Sequence, residues 1–348
     1  MGDLFDMDGI SYRVTAVGET NEVALTYKRV EGTVSDTRIE AANLAGWKGV
    51  VTVAPVVSYQ NISFKVTSMT ENTFRGAKEL TEVTLPEGIT EIPQYSFDEC
   101  EALVKVSLPS TVTSLGMYSF SNCTSLVSMQ LPEGLKTIGD RAFFYSEALE
   151  SINLPASLTE LGASAFSYCT GLKSIDLPQT IEKIGSNAFQ NCRSLTEVKI
   201  PASLTEIPQS MFSSCAGLTS VTIPSTVTAI GSSAFQSCSS LTEITLPAAL
   251  TELGSSTFQG CSSLTEVAIP AGVTTLPMSL FYNCSSLRKV TMNPDAVFGG
   301  TQVFRSCRSL ETLAYYGDDD IPAAGTIKLG ANMTTLPNYT FNGCVAMS

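Results

Sequence analysis

The sequence predicts an α/β solenoid, a fold in which short units of equal length coil and stack on one another. Two observations predict it: phenylalanine returns at a constant interval of 23 residues, and leucine, valine and proline return in phase with it. Self-similarity at a fixed period of this length is the signature of a solenoid. The phenylalanines at this interval are Phe74, Phe97, Phe120, Phe143, Phe166, Phe189, Phe212, Phe235, Phe258, Phe281 and Phe304.

Each unit contains a predicted strand. Six residues after the phenylalanine comes a leucine, and the segment from there reads L-x-x-V-x-L, the strand pattern of a leucine-rich repeat. Its last residues alternate as a strand with one buried face should. In most units a proline follows, which lacks an N–H and ends the pairing. Stacked units then bury one continuous core, with a parallel β-sheet on the concave face.

The rest of the unit returns the chain to the next strand. Two apolar residues three positions apart, such as Leu204 and Ile207, follow the proline. Glycine or proline then turns the chain into a short segment that ends at the next phenylalanine. One such unit cannot bury its apolar side alone, so stability requires neighbours.

The organisation along the chain has two parts. Residues 1–61 carry strand-like segments without the repeat and are predicted to form a small β-rich N-terminal cap. Residues 62–348 are predicted to form the repeat solenoid. The next phenylalanine after Phe304 is Phe341, an interval of 37 residues instead of 23, which indicates an insertion near residues 315–326.

Composition excludes several classes of partner. The net charge is −13, and binding to nucleic acid or to an anionic membrane surface needs clustered Lys and Arg instead. No apolar run approaches the roughly 20 residues that span a bilayer, so we expect no direct membrane insertion in this segment.

The cysteines share one position in the repeat, three residues after a phenylalanine. An even number would ordinarily suggest disulfides, but equivalent Cβ atoms one coil apart lie about 4.8 Å from each other, beyond the usual ~3.8 Å of a disulfide. We expect buried free thiols that pack as small hydrophobic groups. Ala77 and Ser146 stand at this position in two units. The cysteines are Cys100, Cys123, Cys169, Cys192, Cys215, Cys238, Cys261, Cys284, Cys307 and Cys344.

The unit L-x-x-V-x-L-P-x-x-L-T-x-I-G-x-x-A-F-x-x-C resembles the BspA-like leucine-rich repeat, also called the Treponema pallidum type. The match covers roughly residues 62 to 348. The front end, with FDMDGISYRVT and GVVTVAPVVSYQNISFKVTSM, resembles the short β-rich leader that precedes such repeats in surface proteins of Bacteroides-type bacteria.

The resemblance implies a secreted or surface-anchored protein. It also implies adhesion, with a protein or glycan ligand on a host or bacterial surface. Met1-Gly2-Asp3-Leu4 has no signal-peptide features, so this expectation supposes that a signal peptide has been removed. The family has no universal ligand motif, so the resemblance implies no particular site residue.

The predicted concave face exposes small polar side chains and charges, without aromatic residues. Such a face fits either a merely solvated sheet, which the composition favours, or a broad contact strip of low affinity, because hot spots favour Trp, Tyr and Arg. The charged candidates for binding are Glu82, Lys105, Glu197, Lys199, Glu243, Glu266 and Lys289.

The insertion supplies a second candidate site. Its Tyr315 and Tyr316 precede Asp318, Asp319 and Asp320, and loops that interrupt a regular array are often functional. Consecutive carboxylates do not match the alternate spacing of calcium loops. A solvated acidic loop is therefore favoured over a ligand site.

Aromatic residues also flank the repeat phenylalanine on the convex side. They suggest either an exposed stripe or, as we favour, packing at the edge of the core. They are Tyr95, Tyr118, Phe144, Tyr145, Tyr168, Tyr282 and Tyr339.

The sequence does not predict an enzyme. The chain contains no histidine, so no triad with a histidine base can form, and it has no P-loop or dinucleotide fingerprint. We therefore predict no catalytic residues, no cofactor and no metal site. The expected function is non-catalytic binding at a cell surface, with adhesion as its purpose. The alternative is a structural spacer that holds another domain away from the cell.

Overall fold

The computed structural model describes residues 4–7, 10–16, 22–26, 47–317, 329–330, 332–333 and 335–346. It divides into two compact units, Met1–Leu172 and Lys173–Ser348. The regular elements within the described ranges are all β-strands. The predicted solenoid of 23-residue units with parallel strands is confirmed in each unit. The described part of the chain contains no helix to match the α of the predicted α/β class. The segment around each repeat phenylalanine forms a series of turns instead.

The first unit begins with a sheet of five strands in the order β1-β2-β3-β6-β5. Strands β5 and β6 form an antiparallel hairpin whose two turn residues, Gln60 and Asn61, have φ of 50° and 64°. These are the positive values that a type I′ turn requires. The strands are β1 (Leu4–Met7), β2 (Ile10–Ala16), β3 (Glu22–Thr26), β5 (Val56–Tyr59) and β6 (Ile62–Met69), and β4 (Lys48–Thr52) lies outside this sheet.

Hydrogen bonding crosses the predicted boundary between residues 61 and 62 in both directions. Strand β6 pairs in parallel with β3 of the N-terminal sheet. Strand β4, from the predicted cap, pairs in parallel with the first strand of the repeats, β7 (Glu79–Thr84). The boundary itself stays a prediction.

The L-x-x-V-x-L segments form what we call the first strand row. Its members pair in parallel at the repeat interval, as Val83 does with Val106. Alternate residues point inward, and the others form an exposed strand face. In the first unit the row continues with β9 (Lys105–Ser107), β11 (Ser128–Met129) and β13 (Ser151–Ile152), and in the second unit it comprises β16 (Glu197–Lys199), β18 (Ser220–Thr222), β21 (Glu266–Ala268), β23 (Lys289–Met292) and β25 (Thr312–Tyr315).

A second strand row, which the sequence analysis did not predict, forms at the two apolar residues after the proline. Its strands are two residues long and also pair in parallel, as Leu115 does with Ile138. In the first unit they are β8 (Glu91–Ile92), β10 (Ser114–Leu115), β12 (Thr137–Ile138) and β14 (Glu160–Leu161); in the second unit they are β15 (Lys183–Ile184), β17 (Glu206–Ile207), β19 (Ala229–Ile230), β20 (Glu252–Leu253), β22 (Thr275–Leu276) and β24 (Val297–Phe298).

The segment around each repeat phenylalanine forms a third edge, which we call the turn edge. In all twelve coils from Phe74 to Phe341, the residues two before and two after the phenylalanine have φ between 54° and 82°. Such regular returns to the left-handed region cannot be part of a right-handed helix. The segment is therefore a series of turns.

The backbone hydrogen bonds that join one coil to the next along the turn edge run in one direction. In the first unit the N–H groups of Tyr95, Phe97 and Glu99 donate to carbonyl oxygens of the next coil, over distances of 2.8 to 2.9 Å. The same pattern recurs in the second unit, where Phe212 N donates to Ala234 O at 2.9 Å. On the turn edge each coil thus presents N–H groups toward the following coil and carbonyl oxygens toward the preceding one.

The repeat phenylalanines fill the core of each unit. Consecutive rings stack with centroids 4.9 to 5.4 Å apart in the first unit and 5.6 to 5.9 Å apart in the second. The side chain of Trp47 packs at 4.9 Å on Phe74, at the start of the first column. Offset stacks of this kind add about 0.5–1.5 kcal/mol beyond the area they bury.

The ten thiols are free and buried, as predicted. The structure adds a hydrogen bond that the sequence did not reveal. The Sγ of Cys215 donates to the carbonyl oxygen of Phe189 in the preceding coil at 3.1 Å, and other cysteines repeat this contact at 2.9 to 3.2 Å. Where Ser146 replaces cysteine, its hydroxyl donates to Phe120 O at 2.8 Å.

Candidate binding surface

The structure places the predicted charged residues of the first unit side by side on the strand face. Glu82 on β7 and Lys105 on β9 are register partners, and their side-chain oxygen and nitrogen lie 4.0 Å apart. Both side chains are largely exposed, so the pair contributes little to stability. Its charges remain accessible to a partner.

In the second unit the predicted residues lie on the same face, on β16, β21 and β23 and in the coil before β21. Glu197 and Lys199 are exposed on β16, and Glu266 on β21 faces Lys289 on β23 in register. Glu243 is also exposed, in the coil before Glu266. The binding role of these residues stays a prediction.

A depression of about 420 Å³ opens beside these charges in the second unit. Its lining is mostly aliphatic, with Thr245 and Tyr316 as the residues that bring hydroxyl groups. The lining includes Thr245, Leu246, Ala248, Ala268, Ala271 and Tyr316.

Tyr316 is the side chain that sequence reasoning assigned to the insertion rather than to the strand face. Tyr315 ends β25 and is buried, and its hydroxyl accepts a hydrogen bond from Gly330 N at 2.9 Å. Tyr316 follows the strand and is 41% exposed. The predicted Asp318, Asp319 and Asp320 lie outside the described residues.

The alanines around the depression were also missed, although their signal is present in the sequence. Position 268 corresponds to Lys199 in an earlier coil, and position 271 corresponds to Glu133 and Gln179. Small residues at positions where other coils carry long ones leave room beside the strand. A comparison of equivalent repeat positions could have found them.

The turn-edge aromatics stack on one another from coil to coil. Tyr95 and Tyr118 have ring centroids 5.0 Å apart, and Tyr145 and Tyr168 are 4.3 Å apart. The guanidinium of Arg141 lies 5.4 Å from the Tyr118 centroid. Because neighbouring groups cover the ring faces, these four tyrosines form a partly buried ladder, whereas Tyr339 is 59% exposed.

The thiols offer little nucleophilic chemistry. Burial raises the pKa of Cys215 and of Cys261 from 9.0 to about 12, and the pKa of Cys100 is also raised, chiefly by burial. The thiolate is the reactive form. At neutral pH these side chains therefore remain protonated donors of the hydrogen bonds described above.

Groups suited to a metal or a membrane are not found in the described ranges. No cluster of three or more Cys, Asp or Glu side chains there could hold a metal ion. The same residues include no helix long and apolar enough to cross a bilayer.

Stacked 23-residue coils with two parallel strand rows and an exposed strand face define a leucine-rich repeat protein of the solenoid type. The sequence profile described as "BspA type Leucine rich repeat region (6 copies)" matches residues 56–170, 90–219, 140–253 and 205–321. The chain belongs to this family. Proteins of such repeat families are typically binding proteins without catalytic activity.

Solved structures of bacterial leucine-rich repeat proteins resemble the chain. One from Bacteroides ovatus is 25% identical, with a TM-score of 0.52 over 89% of this chain and 94% of the other. A leucine-rich cell surface protein from Faecalibacterium prausnitzii is 23% identical (TM-score 0.50; 91% and 96%). A protein from Eubacterium ventriosum is 23% identical (TM-score 0.56; 97% and 93%). No curated protein matches the chain.

Proposed function

We propose that the chain is a non-catalytic binding protein of a bacterial surface or of the surrounding medium. Its strand face is the contact surface, and adhesion to host matrix proteins, host cells or other bacteria is its purpose. The similarity to a leucine-rich repeat protein of Bacteroides ovatus supports an origin in a Bacteroides-type bacterium.

The observation that carries the proposal is the array of exposed side chains on the first strand row. Residues one coil apart, such as Glu82 and Lys105 or Glu266 and Lys289, are register partners. Neighbouring strands lie about 4.8 Å apart, so charges and hydroxyls form a regular lattice. Such a lattice supports many weak contacts with an extended partner.

The test is a binding screen of the purified protein against immobilised matrix proteins, mucins and glycans, at low and at physiological salt. We expect saturable binding that is weakened by salt, because exposed charges are screened. Replacement of Glu197, Glu243 and Glu266 by lysine should abolish it. A matched triple replacement on the second strand row, at Glu160, Glu206 and Glu252, is the control. Binding lost equally in both variants, or absent throughout, contradicts the proposal.

One observation favours the alternative of a structural spacer. Within each unit, backbone hydrogen bonds join neighbouring coils along the turn edge, as between Phe97 N and Ser119 O, and such stacking stiffens the repeats. The same screen separates the two functions, because a spacer binds none of the immobilised ligands through its strand face.

A further inference from the structure

The depression lined by Tyr316 has mainly aliphatic walls and one aromatic wall. Its alanines and Leu246 offer aliphatic surface, and the tyrosine ring lies beside them with 41% of the residue exposed. Backbone contacts hold the tyrosine in place, because its N–H donates to Met292 O at 3.1 Å. An apolar recess with one aromatic wall suits a slender hydrocarbon chain.

Two carboxylates, Glu243 and Glu266, each lie two residues along the chain from a lining residue of this recess, Thr245 or Ala268. Glu243 and Thr245 lie on the exposed side of one coil, and Glu266 and Ala268 lie on the exposed side of the next coil. Within each pair the two residues are about 7 Å apart along the chain. The two coils are adjacent, because Thr265 N donates to Thr242 O at 3.2 Å. Glu243 and Glu266 therefore carry like charges side by side.

Neither carboxylate forms a salt bridge within the part of the chain that the structure describes. The ion pairs there involve other residues. Lys289 faces Glu266 in register, so it offsets part of the local negative charge and leaves an excess. The whole chain, at −13, adds a field of the same sign.

We propose that this recess binds an arginine or lysine side chain of a protein partner. The methylene stem lies along the alanines and Leu246, as long basic side chains do on apolar surface. The cation contacts the face of Tyr316 and the carboxylates of Glu243 and Glu266. A sugar ring is the poorer occupant, because the aliphatic lining offers few groups for its hydroxyls. The inference rests on the proposed function and names the chemistry of the partner.

The test uses the full chain with ¹³C-labelled alanine methyl groups and an octapeptide of alternating arginine and serine as the probe. At low salt we expect the methyl signals of Ala248, Ala268 and Ala271 to shift in a saturable manner. An octapeptide of alternating glutamate and serine and a neutral oligosaccharide serve as comparison probes and should leave these signals in place.

Three variants and one control make the test specific. Tyr316→Ala and the double variant Glu243→Gln, Glu266→Gln should each weaken peptide binding about two- to fivefold, the range for an exposed charge or cation–π contact. Ala268→Trp should block the recess, at an exposed strand position where an aromatic residue is tolerated. Glu252→Gln, at an exposed carboxylate of the second strand row in the same unit, is the control and should leave the affinity unchanged.

The outcomes separate this inference from the proposed function. Methyl signals that stay in place with the arginine peptide, or shift equally with the acidic peptide or the sugar, overturn the inference. So does an equal loss of affinity in Glu252→Gln. If the protein still binds an immobilised ligand in the screen, only the basic side-chain recess is overturned. If methyl signals shift as expected but the screen finds no ligand, the adhesive function is overturned instead.

Discussion

A cysteine or serine at the cysteine position stabilises the preceding coil through one side-chain hydrogen bond, whereas Ala77 has no donor there. The thiol of Cys215 and the hydroxyl of Ser146 make the same contact with a phenylalanine carbonyl one coil back. The position therefore accepts a small side chain, which in every coil except that of Ala77 is a donor that carries sulfur or oxygen. This explains why the sequence accepts serine there without any change in the spacing of the repeat.

The first prediction compares two replacements of Cys215. Cys215→Ser keeps the donor and should change the free energy of unfolding by less than about 1 kcal/mol, whereas Cys215→Val removes the donor and should cost about 1–3 kcal/mol. Urea unfolding followed by circular dichroism measures both. Ser146→Cys is the matched control and should be close to neutral. An equal cost for serine and valine would show that packing alone matters.

The second prediction concerns pH. Burial raises the pKa of Cys215 and Cys261 from 9.0 to about 12, so the folded protein keeps thiol protons that the unfolded chain releases above pH 9. Stability is therefore fully present below pH 9 and is lost as pH rises from 9 toward 12, by up to about 1.4 kcal/mol per thiol and pH unit. Urea midpoints at pH 8 and 10 measure the loss.

The control for this pH dependence is the double variant Cys215→Ala, Cys261→Ala. It lacks two of the titrating thiols, so its urea midpoint should fall less steeply between pH 8 and 10 than that of the parent protein. Identical slopes would mean that other groups govern the alkaline loss of stability.

At the scale of the element, the turn edge depends on backbone conformations that most residues avoid. Tyr118 and Ser237 have φ of 54° and 59°, a region that costs an ordinary residue roughly 1–2 kcal/mol. Ladder hydrogen bonds and stacked rings offset this cost. Three coils use glycine at the position two after the phenylalanine, namely Gly76, Gly260 and Gly343.

The third prediction exploits this strain. Ser237→Gly should raise the free energy of unfolding by up to about 1 kcal/mol, because glycine adopts positive φ without steric cost. Ser237→Val should lower it by more than that. Thermal unfolding measures both changes. Ser225→Gly, at an exposed position without positive φ, is the control and should be slightly destabilising.

The elements that the sequence predicted and those that it missed differ in the physical signal they carry. Val83 and Leu85 alternate with polar residues, so the first strand row was visible. The second row offers only two residues per strand, such as Glu91–Ile92, too few for a period to be read. The sequence did not predict the turn edge, because Ser, Tyr and Asn occupy positions of positive φ where glycine would have indicated that conformation.

Prediction of the candidate site was limited for another reason. Glu243 and Glu266 were found because their repeat positions fix their exposure. Tyr316 was not connected with them, because it lies outside the repeat pattern and about two coils away. Contacts between a regular array and an irregular segment depend on three-dimensional placement, which a repeat alignment does not contain.

At the scale of the whole molecule, the coil is the unit of stability, because each coil contacts only its neighbours. The fourth prediction follows: deletion of residues 213–235, one full period, should leave a cooperatively folded protein with a slightly smaller urea m-value, in proportion to the surface lost. Deletion of residues 213–224 breaks the period and is the contrasting variant, which should unfold at much lower urea. Similar midpoints for both would contradict the dependence on phase.

The one-way hydrogen bonding of the turn edge gives each coil a front and a back. Donors of one coil meet acceptors of the next from Asn72 to Glu99 in the first unit and from Asn187 to Ser214 in the second. A coil inserted in the reverse orientation would place N–H donors opposite N–H donors. A copied coil in the original orientation pairs its N–H donors with carbonyl acceptors. In-frame duplication or loss of whole repeats in the gene therefore preserves the direction of these backbone bonds, and a lineage can lengthen or shorten the exposed strand face without redesigning the fold.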